Sequence, residues 1–476
     1  MFQRIITAYE AGRHVNLDDI LCHELLPVPS ALAEMNGNLR TGSKAILSQV
    51  LVADTPCPPT LDTENLPDDA TLIIDGQALV IAIGKPQGAS NFGDLADAFV
   101  ASVLQSGASF HRIDVLFDRY YEVSIKSATR NKRSQGSRPI RRPIEGREVP
   151  LPSRWENFLA HPENKADLAR FLSHQLVLGA PQNKIIVVAG GFGNEEMVEA
   201  SSPTVETEKL EARHEEADTR VIIHCIECKA SAIVVAARDT DILVLLLAYF
   251  HKMPCTNLWL KAGTAKKRKY IPIHSIVENL QLSQDMLETL PAFHALTGSD
   301  TTSYIAGHSK KSSWKVFLQY SDLLSNLGKL DLTPETTRDA QHFVCKMYGI
   351  QNTHSANKAR SLLFVKSRAP ESLPPTSDAL TLHIQRAHYQ AAVWRQAHKQ
   401  HPVLPPPEQM GWKLEDNALV PILMTLPAIP ESCLELISCN CTTSCRTVRC
   451  KCRKTRLACT AACKCRSVED SCFNDL

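Results

Sequence analysis

The sequence lacks an excess of charge of one sign, a long apolar run and a secretory leader pattern. Its 52 lysine and arginine residues nearly cancel 51 aspartate and glutamate residues, which excludes a chain that coats nucleic acid through global basicity. The longest strictly apolar run, residues 242–250, is less than half of the roughly 20 residues that a membrane span requires. Residues 1–20 are charged throughout, so we expect a soluble intracellular protein without a membrane partner.

The chain of 476 residues is longer than the roughly 100 to 200 residues of one domain, which predicts several domains. Residues 67–350 alternate β-branched runs with helical patterns, as in a parallel sheet flanked by helices. The predicted fold class is therefore α/β with a mainly parallel sheet. We expect an N-terminal helical region at 1–66, a Pro-rich helical linker region at 351–432 and a small cysteine-rich domain at 433–476. The clearest strand patterns are residues 71–74, 113–117, 185–189 and 232–236.

Aspartates follow three of these predicted strands. Asp75 ends the first run, Asp118 ends the second, and Asp239 and Asp241 follow the run at 232–236. In open α/β sheets the carboxyl ends of the strands meet at one crevice, so these side chains are expected to converge. Their repulsion requires a cation, and oxygen-only ligand sets suit Mg²⁺ or Mn²⁺. A single aspartate after a strand is more often the N-cap of the next helix than a metal ligand.

Two further acidic elements accompany these aspartates. Glu216 and Asp218 lie in the first turn of a predicted helix, and Asp300 lies on a Gly-Ser turn. Residues at i and i+2 do not share a helix face, so Glu216 and Asp218 would both reach one site only at the helix start.

The order of these motifs resembles the PIN-like nuclease superfamily, in particular its flap-endonuclease-type 5′ nucleases. The resemblance covers about 280 residues and implies two Mg²⁺ or Mn²⁺ ions that hydrolyse a phosphodiester bond. It assigns the catalytic and metal-binding carboxylates to Asp75, Asp118, Glu216, Asp218, Asp239, Asp241 and Asp300.

A basic run follows the second aspartate, within a predicted arch or loop at residues 119–150. The resemblance implies that Lys126 and Arg130 contact the scissile phosphate and that Lys132 and Arg133 bind the nucleic-acid backbone. The run continues through Arg138, Arg141, Arg142 and Arg147. The alternative is that this basic run is a solvent-exposed loop and not a nucleic-acid-binding site.

Ten of the sixteen cysteines fall in the last 44 residues. Nine of them, all except Cys433, form the pattern C-x-C-x3-C-x4-C-x-C-x6-C-x3-C-x-C-x6-C-x-N. Reduced intracellular thiols in such a cluster are typical of metal ligands. Nine thiolates satisfy three tetrahedral zinc ions if three of the thiolates bridge two metals. The nine are Cys439, Cys441, Cys445, Cys450, Cys452, Cys459, Cys463, Cys465 and Cys472.

The pattern resembles the tesmin-type CXC domain, a zinc-cluster module that binds DNA. The predicted DNA contacts on this cluster are Arg446, Arg449, Lys451, Arg453 and Lys454. The alternative is a zinc-stapled protein-interaction module without DNA contact.

We therefore expect a nuclear, metal-dependent nuclease that a zinc cluster tethers to DNA, with RNA as the alternative substrate and no small-molecule cofactor. The motifs EADTR, DTD and HALTGSDTTS also resemble animal proteins associated with mobile elements. Two other functions remain open. One is an inactive DNA- or chromatin-binding protein that keeps the nuclease fold as a scaffold, and the other is a transposase or recombinase of a mobile element.

Overall fold

The computed structural model describes residues 17–121, 123–126, 139–194, 196–264, 267–364, 369–430, 439–442, 445–454, 459, 463–466, 472 and 474. Arg130, Lys132, Arg133, Arg138 and Cys433 lie outside the described residues.

The strands are β1 (Thr71–Asp75), β2 (Arg112–Leu116), β3 (Ile185–Ala189), β4 (Val198–Ala200), β5 (Ala232–Ala236), β6 (Asn257–Thr264), β7 (Lys267–Pro272), β8 (Trp412–Glu415) and β9 (Ala418–Pro421). The helices before the acidic motifs are α1 (Leu17–Leu21), α2 (Ala45–Leu51), α3 (Gly76–Ile83), α4 (Phe92–Ser106), α5 (Trp155–Leu159) and α6 (Pro162–Leu178). Those that follow are α7 (Ala217–Glu227), α8 (Thr240–Tyr249), α9 (Ile273–Leu280), α10 (Gln284–Leu296), α11 (Lys310–Tyr320), α12 (Pro334–Met347), α13 (Ala356–Phe364), α14 (Ser377–Arg395) and α15 (Lys451–Lys454).

One sheet of the described residues has the strand order β4-β3-β2-β1-β5-β6-β7. The five strands from β3 to β6 pair in parallel, whereas β4 and β7 pair antiparallel at the two edges. The predicted fold class, an α/β fold with a mainly parallel sheet and flanking helices, is confirmed. Strands β1, β2, β3 and β5 match the predicted runs to within one residue at either end.

Side chains alternate across the sheet because successive residues of a strand point to opposite faces. Ile73 of β1 packs into the core on the side of α7, α8 and α10, while Leu72 and Ile74 pack on the side of α4 and α6. Both faces are apolar, which explains why the parallel strands read as continuous runs of β-branched residues.

The sheet reverses its winding direction next to β1. The chain passes from β1 to β2 and β3 on one side, and then places β5 against the opposite edge of β1. Such a switch point opens a crevice at the carboxyl ends of the strands. Asp75, Asp118 and Asp239 all follow the strands that border this crevice.

Helix α14 lies in the segment predicted as a Pro-rich helical linker region. It is buried along most of its length and packs against α10 and α12. Trp394 at its C-terminal end is 1% exposed and belongs to the main core. No helix among the described residues is long and apolar enough to cross a membrane.

Candidate metal centre

Helix N-termini orient three aspartates at the carboxyl edge of the sheet. Asp75 caps α3, where it accepts from the backbone N–H of Ala78 at 2.9 Å. Asp239 caps α8 and accepts from the N–H two residues later at 3.0 Å. Asp118 accepts from the N–H of Ala217, the first residue of α7, at 2.9 Å. A capping role and a ligand role are therefore compatible in the same side chain.

Glu216 and Asp218 join this crevice from the start of α7. Glu216 is the N-cap residue and Asp218 lies in the first turn. Carboxylate oxygens of Asp218, Asp239 and Asp241 all lie within 4.8 Å of one another. Glu216 Oε1 lies 2.5 Å from the Nζ atom of Lys126. The helix start thus allows two acids at i and i+2 to take part in one cluster.

A lysine from the N-terminal region, for which the sequence pattern predicts no chemistry, reaches into the cluster. The Nζ atom of Lys44 lies 2.8 and 3.0 Å from the two carboxylate oxygens of Asp239. It also lies 3.1 Å from Asp241 Oδ2 and 3.2 Å from Asp300 Oδ1, which brings Asp300 into the same cluster. Burial opposes the charge of Lys44, but the three carboxylates raise its pKa above the usual value. The ammonium therefore stays charged.

His294 connects Asp241 to a second buried lysine. Its Nε2 atom lies 2.8 Å from Asp241 Oδ1, and its Nδ1 atom lies 2.8 Å from Lys310 Nζ. Burial lowers the pKa of His294 to about 4, so the neutral ring donates through Nε2 and accepts at Nδ1. The ring also stacks on Trp394 with a centroid distance of 5.3 Å. Although burial acts in the opposite direction, His294 and Lys44 hold the pKa of Asp241 well below its usual value.

Three other acids of the cluster have raised pKa values. Burial and the neighbouring Asp118 raise the pKa of Asp75 to about 7. Burial raises the pKa of Glu216 to about 7 even though Lys126 opposes the shift. Burial, Glu216 and the acids that follow β5 raise the pKa of Asp218 well above its usual value. Ionised carboxylates this close repel one another in a site of low dielectric constant, and a bound cation would reverse these shifts.

The donor set fits a hard divalent cation. The cluster offers carboxylate oxygens, which Mg²⁺ and Mn²⁺ prefer, and among the described residues it contains no thiol or ring nitrogen in the group of mutually close ligand atoms. Burial is the largest cause of the raised pKa values of Asp75, Glu216 and Asp218, and neighbouring acids add to it. Neither Asp75 nor Asp218 forms an ion pair within the part of the chain that the structure describes.

The predicted basic run is divided between the cluster and the surface. Lys126 is 13% exposed and pairs with Glu216 inside the crevice. Arg141 pairs with Glu163 and Asp167 of α6, at 2.6 and 2.7 Å. Arg147 pairs with Asp97 of α4 at 2.7 Å. The last part of the run thus contacts carboxylates of the protein itself.

A cavity of about 270 Å³ borders the cluster beside Glu216 and Lys126. Its walls include Tyr121, Tyr389 and Gln390. Gln390 is 4% exposed, and its side-chain nitrogen has no hydrogen-bond partner among the described residues. The buried carboxylates therefore adjoin open space on this side.

The nine cysteines of the C-terminal pattern converge on one another. Sγ of Cys439 lies 3.7 Å from that of Cys445, 3.8 Å from that of Cys459 and 3.5 Å from that of Cys465. Ligand atoms within 4.8 Å of one another form four groups of four, and together the groups contain all nine cysteines. Cys439 and Cys459 each belong to three groups, which is the sharing that bridging thiolates require.

These distances fit a metal cluster. A tetrahedral zinc ion with zinc–sulfur bonds of about 2.3 Å places its sulfur ligands about 3.8 Å apart, whereas a disulfide bond is only about 2.05 Å long. The nine cysteines are free thiols in the structure. Asn474, the last residue of the pattern, donates its side-chain amide to Cys459 Sγ at 3.3 Å. The donor atoms and their spacing therefore suit zinc ions.

The predicted DNA contacts lie around this cluster. Arg446, Arg449, Lys451 and Lys454 are exposed. Arg453 is partly buried and donates to the backbone oxygen of Cys445 at 3.3 Å. The thiolate cluster thus carries a basic outer surface.

No family model and no curated protein matches the chain. The solved structures similar to the chain include three with TM-scores of 0.30 to 0.34. A bacteriophage T5 protein co-crystallised with metal ions is 14% identical, with 69% of this chain and 97% of that chain covered and a TM-score of 0.34. A bacteriophage T5 flap endonuclease in a pseudo-enzyme-product complex with DNA and metal ions is 13% identical, with 69% and 97% covered and a TM-score of 0.30. A T5 5′-exonuclease with bound divalent zinc is 14% identical, with 67% and 99% covered and a TM-score of 0.33.

Proposed function

We propose that the chain is a divalent-metal-dependent nuclease whose C-terminal zinc cluster attaches it to DNA. The observation that supports this function best is the convergence of acids from β1, β2, α7, β5 and the loop after α10 at one switch point of the sheet. Structural acids at a surface are usually paired, whereas Asp75 and Asp218 are partly buried and neighbouring acids raise their pKa values.

Seven carboxylates would hold two Mg²⁺ or Mn²⁺ ions: Asp75, Asp118, Glu216, Asp218, Asp239, Asp241 and Asp300. Bound there, such ions supply an activated water and stabilise the leaving 3′-oxygen of a phosphodiester. The chain's own residues orient the ligands. Backbone N–H groups fix Asp75, Asp118 and Asp239, and His294 fixes Asp241.

Lys126 would exchange partners in this reaction. It pairs with Glu216 in the structure and borders the cavity beside the cluster. Glu216 would be one of the residues that hold a cation, and Lys126 would then bind a phosphate oxygen that enters from the cavity. Arg130, Lys132 and Arg133 would extend the same phosphate-binding surface.

The C-terminal cluster would hold three zinc ions and bind DNA phosphates. Its exposed Arg449, Lys451 and Lys454 support this role, and a nuclear location agrees with it. Fluorescence anisotropy with labelled duplex DNA at several salt concentrations tests the assignment. Lys451→Gln and Lys454→Gln should each lower the salt dependence of log K by about one unit, whereas unchanged slopes would count against a DNA-binding tail.

One observation supports a non-catalytic alternative. Lys44 and Lys126 already place two positive charges in the acidic cluster. A protein that kept the fold as a DNA-binding scaffold would neutralise its former metal site in this way.

A cleavage assay separates the two functions. The purified chain is given flap, hairpin, single-stranded and duplex DNA, and RNA, with Mg²⁺ or Mn²⁺. We expect cleavage that falls at least about a hundredfold in Asp239→Ala/Asp241→Ala and is unchanged in the exposed control Asp54→Ala. Equal cleavage by all three proteins, or none by any with DNA binding intact, excludes the nuclease.

A further inference from the structure

We infer that Lys44 is a resident cation of the acidic cluster, which takes the place of one divalent ion between Asp239, Asp241 and Asp300 and must leave before an ion binds there. The inference rests on the proposed metal site and specifies how that site is filled. Because Lys44 competes with only one of the two divalent ions, the two ions bind with unequal affinities.

The contacts of the ammonium resemble those of a bound ion. Lys44 Nζ meets both oxygens of Asp239 at 2.8 and 3.0 Å, Asp241 at 3.1 Å and Asp300 at 3.2 Å. An ammonium has three protons, so three acids satisfy it completely. These acids come from two separate parts of the chain, the β5–α8 turn and the loop after α10. A surface lysine would meet one such partner and not three.

The fold delivers Lys44 to this position. The segment before it pairs with the loop that follows Asp300, through a hydrogen bond of 2.8 Å from Tyr304 N–H to the Arg40 carbonyl. A second bond of 2.9 Å joins Ala306 N–H to the carbonyl of Ala31. Helix α2 begins directly after Lys44 and packs against α8 and α11. The lysine is therefore tied on both sides to the elements that carry its carboxylate partners.

Asp75 and Asp218 are acids of the cluster that Lys44 does not contact. Asp75 and Asp218 form no ion pair among the described residues, and Lys126 contacts Glu216 rather than either of them. A first divalent ion can bind these acids without displacing a lysine. A second ion between Asp239, Asp241 and Asp300 has to displace the Lys44 ammonium, because the ammonium already lies within 3.2 Å of all three carboxylates and repels a cation at the same position.

Titration of the full-length, zinc-loaded chain with Mn²⁺ tests the inference. Isothermal calorimetry and the electron paramagnetic resonance signal of free Mn²⁺ measure the number of ions and their affinities, independently of any cleavage. We expect one tight ion and a second ion that binds at least tenfold more weakly. Lys44→Gln and Lys44→Met remove the competing charge and should strengthen the second step at least tenfold.

Two controls accompany these variants. Lys44→Arg keeps the charge and should leave the second ion weak, and Lys229→Gln changes an exposed lysine that lies away from the cluster. Thermal unfolding identifies any variant that does not fold. Two neutral substitutions are used so that the test still works if one of the two variants does not fold. Equal Mn²⁺ isotherms for wild type and a folded neutral variant would overturn the role of Lys44 and leave the proposed nuclease site standing. No Mn²⁺ binding by any protein would overturn both.

Discussion

The Nε2 atom of His294 lies 2.8 Å from Asp241 Oδ1, whereas Lys44 contacts the other oxygen, Oδ2, at 3.1 Å. Asp241 is 2% exposed and His294 is fully buried. The bond fixes both the orientation and the ionised state of an acid at the centre of the cluster. Partners that orient ligands in this way are usually worth 10- to 100-fold in metal affinity, by order of magnitude about 1 to 3 kcal/mol.

Loss of this orientation should weaken ion binding. We expect His294→Leu to lower Mn²⁺ affinity about 10- to 100-fold, because the donor to Asp241 disappears and Lys310 loses one of its three acceptors. His294→Gln keeps an N–H donor of similar reach and is the matched control. Calorimetry at pH 7.5 measures both. Equal affinities for the Leu and Gln variants would mean that His294 has only a packing role.

Removal of one repelling acid should stabilise the chain when no divalent ion is added. Burial and neighbouring acids raise the pKa of Asp218, so its ionised form is disfavoured in the fold, and its contribution to stability declines as pH rises from about 4 towards its folded pKa. At pH 8 without Mg²⁺, we expect Asp218→Asn to raise the free energy of unfolding by about 1 to 3 kcal/mol. The same variant should lose part of the stabilisation that added Mn²⁺ gives to wild type. Asp54→Asn on the surface is the control, and a fall in stability without ions would contradict the prediction.

Zinc content should depend most on the cysteines shared between ligand groups. Elemental analysis of the purified chain is expected to give about three zinc ions. Cys439→Ser should lower this number by at least one and make the remainder easier to chelate, because Cys439 belongs to three of the four groups. Cys57→Ser, outside the cluster, should keep the full content. A wild-type value near zero or one would contradict the cluster.

Acid should destabilise the helical core through its buried histidines. His383 in α14 is fully buried, its Nε2 lies 2.8 Å from the Leu296 carbonyl, and burial lowers its pKa to about 3. The unfolded chain, with a histidine pKa of about 6.5, takes up a proton between pH 6.5 and 3 that the folded chain does not. The stability that His383 contributes is therefore present above pH 6.5 and is lost as pH falls through this window.

Between pH 7 and pH 5 this loss amounts to about 2 kcal/mol for one such group. Urea denaturation at the two pH values should show a pH dependence that is smaller by this amount in His383→Gln than in wild type. His401→Gln, at a side chain that is 56% exposed, controls for the loss of an imidazole. An unchanged difference between the two pH values in His383→Gln would contradict the assignment.

The strands and the positions of their aspartates follow from local pattern. Runs such as 185–189 and 232–236 are apolar and β-branched because both faces of the strand are buried, so the sequence signal is strong. Strands β4, β6 and β7 lie at or near the edges of the sheet, and their polar or short sequences carry no such signal. The sequence pattern therefore predicts the fold class and the central strands but not β4, β6 and β7.

The acids of the candidate site can also be predicted from the sequence pattern, since most of them follow a predicted strand or lie at the start of a predicted helix. Their partners cannot be predicted in this way. Lys44 is 195 residues from Asp239 in sequence, and Lys310 lies one helix beyond His294. A lone lysine in an amphipathic segment has no pattern that would distinguish it from a solvated one.

The sequence by itself determined the order of strands and acids and the nine-cysteine spacing, because these depend on residues that are near one another in the chain or on strand ends that any parallel sheet brings together. The tertiary structure decided which cations meet those acids. Helix α2 packs against α8 and α11, and the segment before it is hydrogen-bonded to the loop after Asp300; this packing carries Lys44 into the cluster. The charge balance of the site, and with it the ease of loading a second ion, is thus a property of long-range packing.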